Sequence, residues 1–341
     1  MENIQNLVTQ GNWVWVTFGL SAVFIVLAAM QLAKYGDVLA ARTGAGGMFI
    51  GILLLAGATS LPEILTAINS ISAGEPDLAA GNFFGSNAFN MFIIAIMDVL
   101  SKNDRVVRNS YYKHALSGSL AVFLGTLALF FVVANPILSK INFQIGWVGI
   151  DSLIITFFYI FAVYLIQKND SDTVSAEMTA DELKEIPSLR KGIIGFLLAA
   201  SVLVIISPFM VKSSSVIAEI TGLGASFVGS TLVAFVTSLP ELVTTISALK
   251  IGAADMALGN LFGSNMFNMF GIAIADFFYT EGRFINVIDE SFVVVGLLGV
   301  LLTSFALIGN VAKFKRIKVI EVDSIIMIIL YLGGMYILYL Q

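Results

Sequence analysis

TSLPE at Thr59–Glu63 is followed by GNFFGSNAFN at Gly81–Asn90, and both stretches occur a second time in the chain. Shifting the sequence by 178 residues gives TSLPE at Thr237–Glu241 and GNLFGSNMFN at Gly259–Asn268. No gap is needed to align the two copies. Self-similarity at a fixed spacing predicts two related structural units that each carry the same pair of segments.

The amino-acid composition is that of a membrane protein. Of the 341 residues, 58% are hydrophobic and 12% are charged, and the mean hydropathy is +0.93. These values exclude an ordinary soluble domain, and the absence of cysteine excludes a disulfide framework and a thiolate metal site. A helix that spans the bilayer needs about 20 apolar residues. Runs of this length predict ten transmembrane helices, at residues 12–35, 47–72, 77–99, 113–134, 142–167, 190–212, 222–249, 253–278, 289–309 and 321–340.

The ten predicted helices form two sets of five. The motif regions 57–98 and 235–276 share 24 of 42 residues, and the same shift carries the first, fourth and fifth helices onto the sixth, ninth and tenth. Because five is odd, two consecutive sets must have opposite orientations in the membrane. We therefore predict an all-α polytopic membrane protein with inverted repeats at 1–167 and 190–341, joined by a cytoplasmic linker at 168–189.

The basic residues predict the orientation, because cytoplasmic loops are enriched in Lys and Arg. The loops on one side of the predicted membrane hold fifteen of them and the loops on the other side hold three. This asymmetry places the linker inside and both termini outside a cell (plasma) membrane. The three on the outer side are Lys140, Lys212 and Arg283.

Each repeat has a proline in the middle of a predicted helix, Pro62 or Pro240, where it removes a backbone donor and frees a carbonyl oxygen. Irregular backbone persists in a membrane only where it is buried in protein or lines a watery cavity. Carbonyl, hydroxyl and carboxylate oxygens beside the proline suit a hard cation such as Ca²⁺ or Na⁺. The side chains concerned are Thr59, Ser60 and Glu63 in the first repeat and Thr237, Ser238 and Glu241 in the second.

Glu63 and Glu241 are the strongest candidates for function. An ionisable side chain at membrane depth is costly and marks an ion or substrate pathway, and glutamine would serve packing at a lower cost. The following helix adds neutral oxygen ligands at intervals of four residues, which share one helix face. These are Asn82, Ser86 and Asn90 in the first repeat and Asn260, Ser264 and Asn268 in the second.

Two other features of this region concern helix packing. Gly81 and Gly85 form a small-xxx-small pattern that permits close approach of two helices. Buried Ser, Thr and Asn side chains can also serve only as hydrogen bonds between helices, and for Ser60 and Asn82 this alternative stays open. The same role is favoured for Asn87 and Asn265. The sequence leaves open the roles of Asp77, Asp98, Asp255 and Asp276.

TSLPE followed by GN-x-x-GSN-x-x-N, present twice, resembles the alpha repeats of the sodium/calcium exchanger family in the cation/calcium antiporter superfamily. The resemblance spans the whole chain. It implies ligands from the Thr, Ser and Glu of the first motif, and from a serine and the Asn or Asp four residues later in the second. It also implies that the first and sixth helices slide as a pair across the motif helices. The implied ion ligands are Glu63, Glu241, Thr59, Thr237, Ser60, Ser238, Ser86, Ser264, Asn90 and Asn268.

The resemblance implies a secondary antiporter, not an enzyme, that exports Ca²⁺ in exchange for Na⁺ at a midplane site exposed to one side at a time. No cofactor, nucleic acid or obligatory protein partner is expected beyond the transported cations and the lipid bilayer. Sodium is favoured over protons because the proton-coupled branch usually carries GN-x-x-E in place of TSLPE. A Ca²⁺/H⁺ antiporter is the alternative, although family members with asparagine at positions equivalent to both Asn90 and Asn268 occur in both branches. A cation channel lined by the same oxygens is a remoter one.

Overall fold

The chain forms a bundle of apolar helices. The computed structural model describes residues 9, 11–43, 56–100, 106–141, 143–170, 186–250, 253–312, 316–317 and 320–340. The helices are α1 (Trp13–Thr43), α2 (Leu61–Ser72), α3 (Pro76–Leu100), α4 (Val106–Leu138), α5 (Ile150–Asp170), α6 (Leu189–Thr221), α7 (Gly224–Lys250, interrupted at Ser238), α8 (Ala254–Phe278), α9 (Phe292–Ala312) and α10 (Val322–Tyr339). Short 3₁₀ turns lie at Ser139–Ile141 and Phe284–Val287.

Most of these helices are suited to a membrane. By length and composition, eight of the described helices could cross a bilayer, and α9 contributes a shorter apolar stretch at Phe292–Ile308. The predicted polytopic helical architecture is therefore confirmed. Helix α2 has 12 described residues, and residues 44–55, which belong to its predicted span at 47–72, lie outside the described part of the chain. Ten crossings consequently stay a prediction.

Two hairpins are the exceptions to the all-α prediction. Strands β1 (Gln144–Ile145) and β2 (Val148–Gly149) pair antiparallel before α5, and the positive φ of 66° at Gly146 suits their two-residue turn. The fifth helix therefore begins at Ile150 and not at 142. Two-residue strands are too short to produce an alternating pattern that a sequence could reveal. A second hairpin, β3 (Arg316–Ile317) with β4 (Ile320–Glu321), precedes α10.

These hairpins also correct the spacing of the repeat. Helix α5 begins at Ile150 and α10 at Val322, so the two starts are 172 residues apart instead of 178. The 178-residue shift holds across the motifs. It does not hold for the last helix of each half, because the second half is six residues shorter before that point.

The motif helices α3 and α8 lie at the centre of the bundle. Residues buried in protein make up 89% of the membrane window of α3 and 72% of that of α8, against 28% for α1 and 22% for α6. Phe83 and Phe84 of α3 are almost completely buried in the core. The polar residues of the motif helices are therefore shielded from lipid, as irregular or polar groups at membrane depth must be.

Helices α1 and α6 form a separate pair beside the broken helices. A Cβ on Gly192 of α6 would lie 2.9 Å from Val38 of α1, so the two backbones are close. The apolar cluster between them reaches Ala58, just before α2, and Val236 in α7. The pair therefore packs against both helices that carry TSLPE. The buried members contributed by the pair are Ile25, Ala28, Leu32, Ala199, Leu203 and Met210.

The small residues of α3 allow α7 of the other repeat to approach. A Cβ on Gly81 would lie 2.8 Å from the backbone nitrogen of Ser230, and one on Gly85 would lie 2.8 Å from the Cβ of Ala234. In the second repeat, a Cβ on Gly263 would lie 2.9 Å from the Cβ of Ala56. Each motif helix thus packs against the broken helix of the opposite repeat.

Candidate functional site

Each TSLPE segment contains a single-residue break in its helix. Ser60 has φ −88° and ψ 4°, and Ser238 has φ −90° and ψ 3°, in the sparsely populated bridge region where many active-site residues lie. New helical segments begin at Leu61 and Leu239. The prolines therefore lie in the first turn of a segment and not in mid-helix, and a first-turn position needs no N–H. The two breaks have almost the same geometry, as expected of related halves.

All ten predicted ion ligands are completely buried. Four come from the serine and threonine hydroxyls at the breaks, two from the glutamates, and four from the polar faces of α3 and α8. The structure brings these side chains together through hydrogen bonds between the repeats, so a single site is formed.

Glu63 is held by one hydroxyl from each repeat. The Ser238 hydroxyl donates to Oε1 of Glu63 over 3.1 Å. The Ser86 hydroxyl donates to the same oxygen over 3.4 Å. One carboxylate oxygen of Glu63 is therefore fixed by protein donors, and the donors come from α3 and from the break in α7.

Glu241 has the equivalent arrangement with the repeats exchanged. The Ser264 hydroxyl donates to its Oε1 over 2.9 Å, and the Ser60 hydroxyl donates to the same oxygen over 3.3 Å. The Ser60 and Ser264 hydroxyls also contact each other. Because each glutamate is bound by the break of the opposite repeat, neither half of the chain can form the site alone.

The threonines of the breaks are oriented by Asn82 and Asn260. Thr237 donates to Oδ1 of Asn82 over 2.8 Å, and Thr59 donates to Oδ1 of Asn260 over 3.2 Å. The amide nitrogen of Asn82 donates to the backbone oxygen of Glu63 over 3.1 Å. The Asn82 carboxamide is thus occupied at both ends, which favours the hydrogen-bonding role over a ligand role for this residue.

Four asparagines form a second network where α3 and α8 cross. Asn87 donates to the backbone oxygen of Asn265 over 3.2 Å, and Asn265 donates to that of Asn87 over 3.3 Å. Asn90 donates to Oδ1 of Asn265 and Asn268 donates to Oδ1 of Asn87, both over 3.0 Å. The interhelical role favoured for Asn87 and Asn265 is therefore confirmed.

Four buried oxygens at the site are left open. Oε2 of Glu63 and of Glu241, and Oδ1 of Asn90 and of Asn268, have no hydrogen-bond partner among the described residues. A buried polar atom without a partner is costly, and a cation would satisfy all four. Carboxylate and amide oxygens are ligands for a hard cation such as Ca²⁺. The described residues contain no cluster of three or more His, Cys, Asp or Glu side chains that could hold a metal, so this set depends on amide and hydroxyl oxygens.

A buried ion pair lies at the far end of α8, away from the four open oxygens. Arg283 donates to Asp151 over 2.5 Å, and each side chain is 1% exposed. Asp276 accepts from the backbone nitrogens of Gly149 over 2.7 Å and Phe284 over 2.6 Å. Asp276 therefore fixes the end of α8 to the start of α5.

The equivalent aspartate of the first repeat has a related role. Ser324 at the start of α10 donates to Asp98 near the end of α3 over 2.8 Å. The sequence signal for these contacts was an Asp-Ser pair that opens both α5 and α10, at Asp151 and at Asp323. The sequence reading missed it because the pairs recur after 172 residues and not after 178.

Asp77 and Asp255 lie in the first turns of α3 and α8. Asp255 is not the residue that precedes the helix, which is Ala253, and its Oδ1 is 3.8 Å from Nε2 of the buried His114. Negative charge in the first turn interacts favourably with the positive end of the helix dipole.

Comparison with known proteins was made at the level of sequence and of fold. The sequence model described as sodium/calcium exchanger protein matches residues 13–167 and 191–340. A curated relative, sodium/calcium exchanger MaX1 of Methanosarcina acetivorans, is 27% identical over 303 residues, which covers 76% of this chain and 81% of the relative.

Two solved structures share the fold. A structure of the sodium-calcium exchanger NCX_Mj, soaked with 2.5 mM Na⁺ and 0.1 mM Sr²⁺, has a TM-score of 0.59 and 22% identity, and covers 95% of this chain and 99% of that one. The H⁺/Ca²⁺ exchanger CAX has a TM-score of 0.64 and 14% identity, and covers 98% and 90%. The predicted inverted-repeat architecture is confirmed by this likeness.

Proposed function

Because the chain belongs to the sodium/calcium exchanger protein family, we propose that it exports Ca²⁺ in exchange for Na⁺ at the site built around Glu63 and Glu241. The observation that carries the proposal is the set of four buried oxygens without partners, two from carboxylates and two from amides. The hydroxyls of Ser60, Ser238 and their neighbours complete an all-oxygen environment. Such an environment suits both Ca²⁺ and Na⁺.

The charge of the site explains exchange. Two carboxylates neutralise one Ca²⁺ or more than one Na⁺, whereas an empty site leaves two buried anions close together. Uncompensated buried charge is strongly destabilising. The protein should therefore change the side to which the site is open only when ions are bound, which makes the movement of one ion depend on the other.

The helix pair α1 and α6 is the proposed moving element. Its membrane windows are only 28% and 22% buried, so it has less contact with protein than the motif helices. It also lies directly against both broken helices. A displacement of this pair would expose the site to one side or the other while α3 and α8 stay fixed.

The proposed topology has the termini outside the cell membrane and the linker inside, with repeats at 1–167 and 190–341. Described contacts support it. Arg42, at the end of α1, donates to the backbone oxygens of Ile186 and Pro187, just before α6. The proposal places these segments on the cytoplasmic side.

The test is uptake of radioactive Ca²⁺ by proteoliposomes under a sodium gradient or, separately, a pH gradient. Uptake driven by sodium and lost in Glu63→Gln and in Glu241→Gln is expected, because each substitution removes one of the two charges that balance Ca²⁺. Glu281→Gln, in an exposed loop, is the matched control and should retain uptake.

Each other outcome identifies a different protein. Uptake driven only by the pH gradient would assign the chain to the proton-coupled alternative. A Ca²⁺ leak that needs no counter-ion would indicate a channel. Absence of Ca²⁺ uptake by the unmodified protein would refute calcium transport, and uptake that survives both glutamine substitutions would refute the site.

A further inference from the structure

We propose that Asn87 and Asn265 are positioning residues of the cation site. Each turns the carboxamide of a ligand, Asn268 or Asn90, so that its oxygen and not its NH₂ group faces the ion. This inference rests on the proposed function, because it takes Asn90 and Asn268 as ligands. It concerns two residues that do not themselves offer a free oxygen to the site.

The orientation of Asn90 follows from a backbone carbonyl. Nδ2 of Asn265 is 3.3 Å from the backbone oxygen of Asn87, and a carbonyl oxygen can only accept. The NH₂ group of Asn265 must therefore face that carbonyl, so its Oδ1 points the other way. That Oδ1 is 3.0 Å from Asn90, and only an NH₂ group can pair with it. Oδ1 of Asn90 is consequently on the opposite side, where it has no partner among the described residues.

The orientation of Asn268 follows in the same way from the other repeat. Nδ2 of Asn87 is 3.2 Å from the backbone oxygen of Asn265, which directs Oδ1 of Asn87 towards Asn268. The 3.0 Å contact between that oxygen and Asn268 requires the NH₂ group of Asn268. Oδ1 of Asn268 is therefore the open atom. Each positioning residue acts on the ligand of the opposite repeat.

The need for such positioning depends on the ligand being an amide. A carboxamide has one oxygen and one NH₂ group, and the NH₂ group would repel a cation. Asn87 and Asn265 are 8% and 2% exposed, so bulk water is largely kept from these amides. A carboxylate at the same position has two equivalent oxygens and would present one of them in either orientation.

This difference provides a crossed test in the full-length protein, with Ca²⁺ binding and Ca²⁺ uptake measured in proteoliposomes. Asn87→Leu is similar in size and removes the acceptor for Asn268. We expect it to raise the apparent Kd and KM for Ca²⁺ about tenfold, the factor for roughly 1.4 kcal/mol, which is the scale of one hydrogen bond. The value of kcat should change much less, because the bound state still forms.

The double variants decide the assignment. In an Asn268→Asp background, Asn87→Leu should have little effect on Kd, because the ligand no longer needs orienting. In an Asn90→Asp background it should keep its full effect, because Asn90 is oriented by Asn265. The mirror pair provides a second, independent cycle in which Asn265→Leu should couple to Asn90→Asp and not to Asn268→Asp. If one set of variants fails to fold, the other still gives the answer.

An equal effect of Asn87→Leu in both aspartate backgrounds would overturn the positioning role and leave only a packing role. An unchanged Kd in Asn87→Leu alone would overturn it as well. Failure of the proposed function has a different signature, since the unmodified protein would then neither bind nor take up Ca²⁺. Ca²⁺ binding by the unmodified protein with uncoupled variants would refute the positioning inference alone.

Discussion

At the residue scale, the partner of each buried oxygen decides what that oxygen can do. Oε1 of each glutamate is held by serine hydroxyls, whereas Oε2 is open. Two buried threonines of α7 differ in the same sense. Thr237 donates to Asn82 over 2.8 Å, whereas the Thr245 hydroxyl has no hydrogen-bond partner among the described residues. Equal burial therefore does not imply an equal role.

Replacing Thr237 with valine should destabilise the protein. Valine has nearly the same shape, but it leaves Oδ1 of Asn82 buried without its donor, and such a loss costs about 1–3 kcal/mol. The measurement is thermal unfolding of the purified protein in detergent without Ca²⁺, where a lower midpoint than that of the unmodified protein is expected.

Thr245→Val is the matched control, because it changes the same atoms in the same helix at a hydroxyl with no described partner. Its unfolding midpoint should equal or slightly exceed that of the unmodified protein. Equal destabilisation by both substitutions would show that the loss comes from valine in α7 and not from the bond to Asn82.

At the element scale, two kinds of contact hold the helices. Motif helix α3 approaches α7 through glycine, with a Cβ on Gly85 only 2.6 Å from the Cα of Ser230. Helix α6, by contrast, is attached to the α2–α3 region by polar side chains. Ser207 accepts from Asn69 over 2.7 Å, and Ser215 donates to Glu75.

The α6 contacts have no counterpart in the other repeat. The 178-residue shift pairs Asn69 with Ser247 and Ser207 with Ala29, and it pairs Glu75 with Ala253. An alanine side chain cannot make either bond. The two halves are therefore closely related at the ion site and differ at the helix pair that we propose to move.

Gly85→Ala should disrupt the packing of α3 on α7. The added methyl group meets backbone atoms, which cannot rotate away as a side chain can, and overpacking of this kind costs about 1–3 kcal/mol or more. A lower unfolding midpoint and reduced Ca²⁺ uptake are expected, because the displaced α7 carries Glu241.

Gly333→Ala in α10 serves as the comparison. A Cβ there meets nothing within 4 Å, and alanine in a helix is favoured over glycine by roughly 0.5–1 kcal/mol. This variant should be as stable as the unmodified protein or more stable. A Gly85→Ala protein with unchanged stability would contradict the close approach of the two backbones.

At the scale of the whole molecule, the repeats are joined by contacts that cross between them. The end of α8 is tied to the start of α5 through Asp276, and the end of α3 is tied to the start of α10 through Asp98. In the proposed topology, the first contact lies outside and the second inside. Loops predicted to share a side are thus in contact, which is consistent with the distribution of basic residues.

Single cysteines should report this topology directly, because the native chain contains none. Ile145→Cys, in the hairpin before α5, replaces a side chain that is 65% exposed, and it should react with an impermeant thiol reagent added outside intact cells. Lys184→Cys in the linker should react only after the cells are opened. The unmodified protein provides the blank, and labelling of both cysteines from the same side would contradict the odd-numbered repeat.

The sequence by itself determined the membrane setting, the duplication and the identity of the ten buried site residues. Composition and hydrophobic run length report the solvent, and identical motifs at one spacing report related local structures. The dihedral angles at Ser60 and Ser238 bear this out, since they are almost the same. A pattern along one chain can therefore indicate which side chains belong together by type.

The tertiary structure alone decided which residue contacts which. Ser238 binds Glu63 and Asn87 binds Asn268, and nothing in the sequence spacing distinguishes these crossed pairs from pairs within one repeat. The open carboxylate and amide oxygens are equally a product of packing, because an atom becomes a free ligand only when its neighbours have used every nearby donor. The hairpin before α5 and the 172-residue spacing of α5 and α10 also depend on local pairing that is too short to leave a periodic signal.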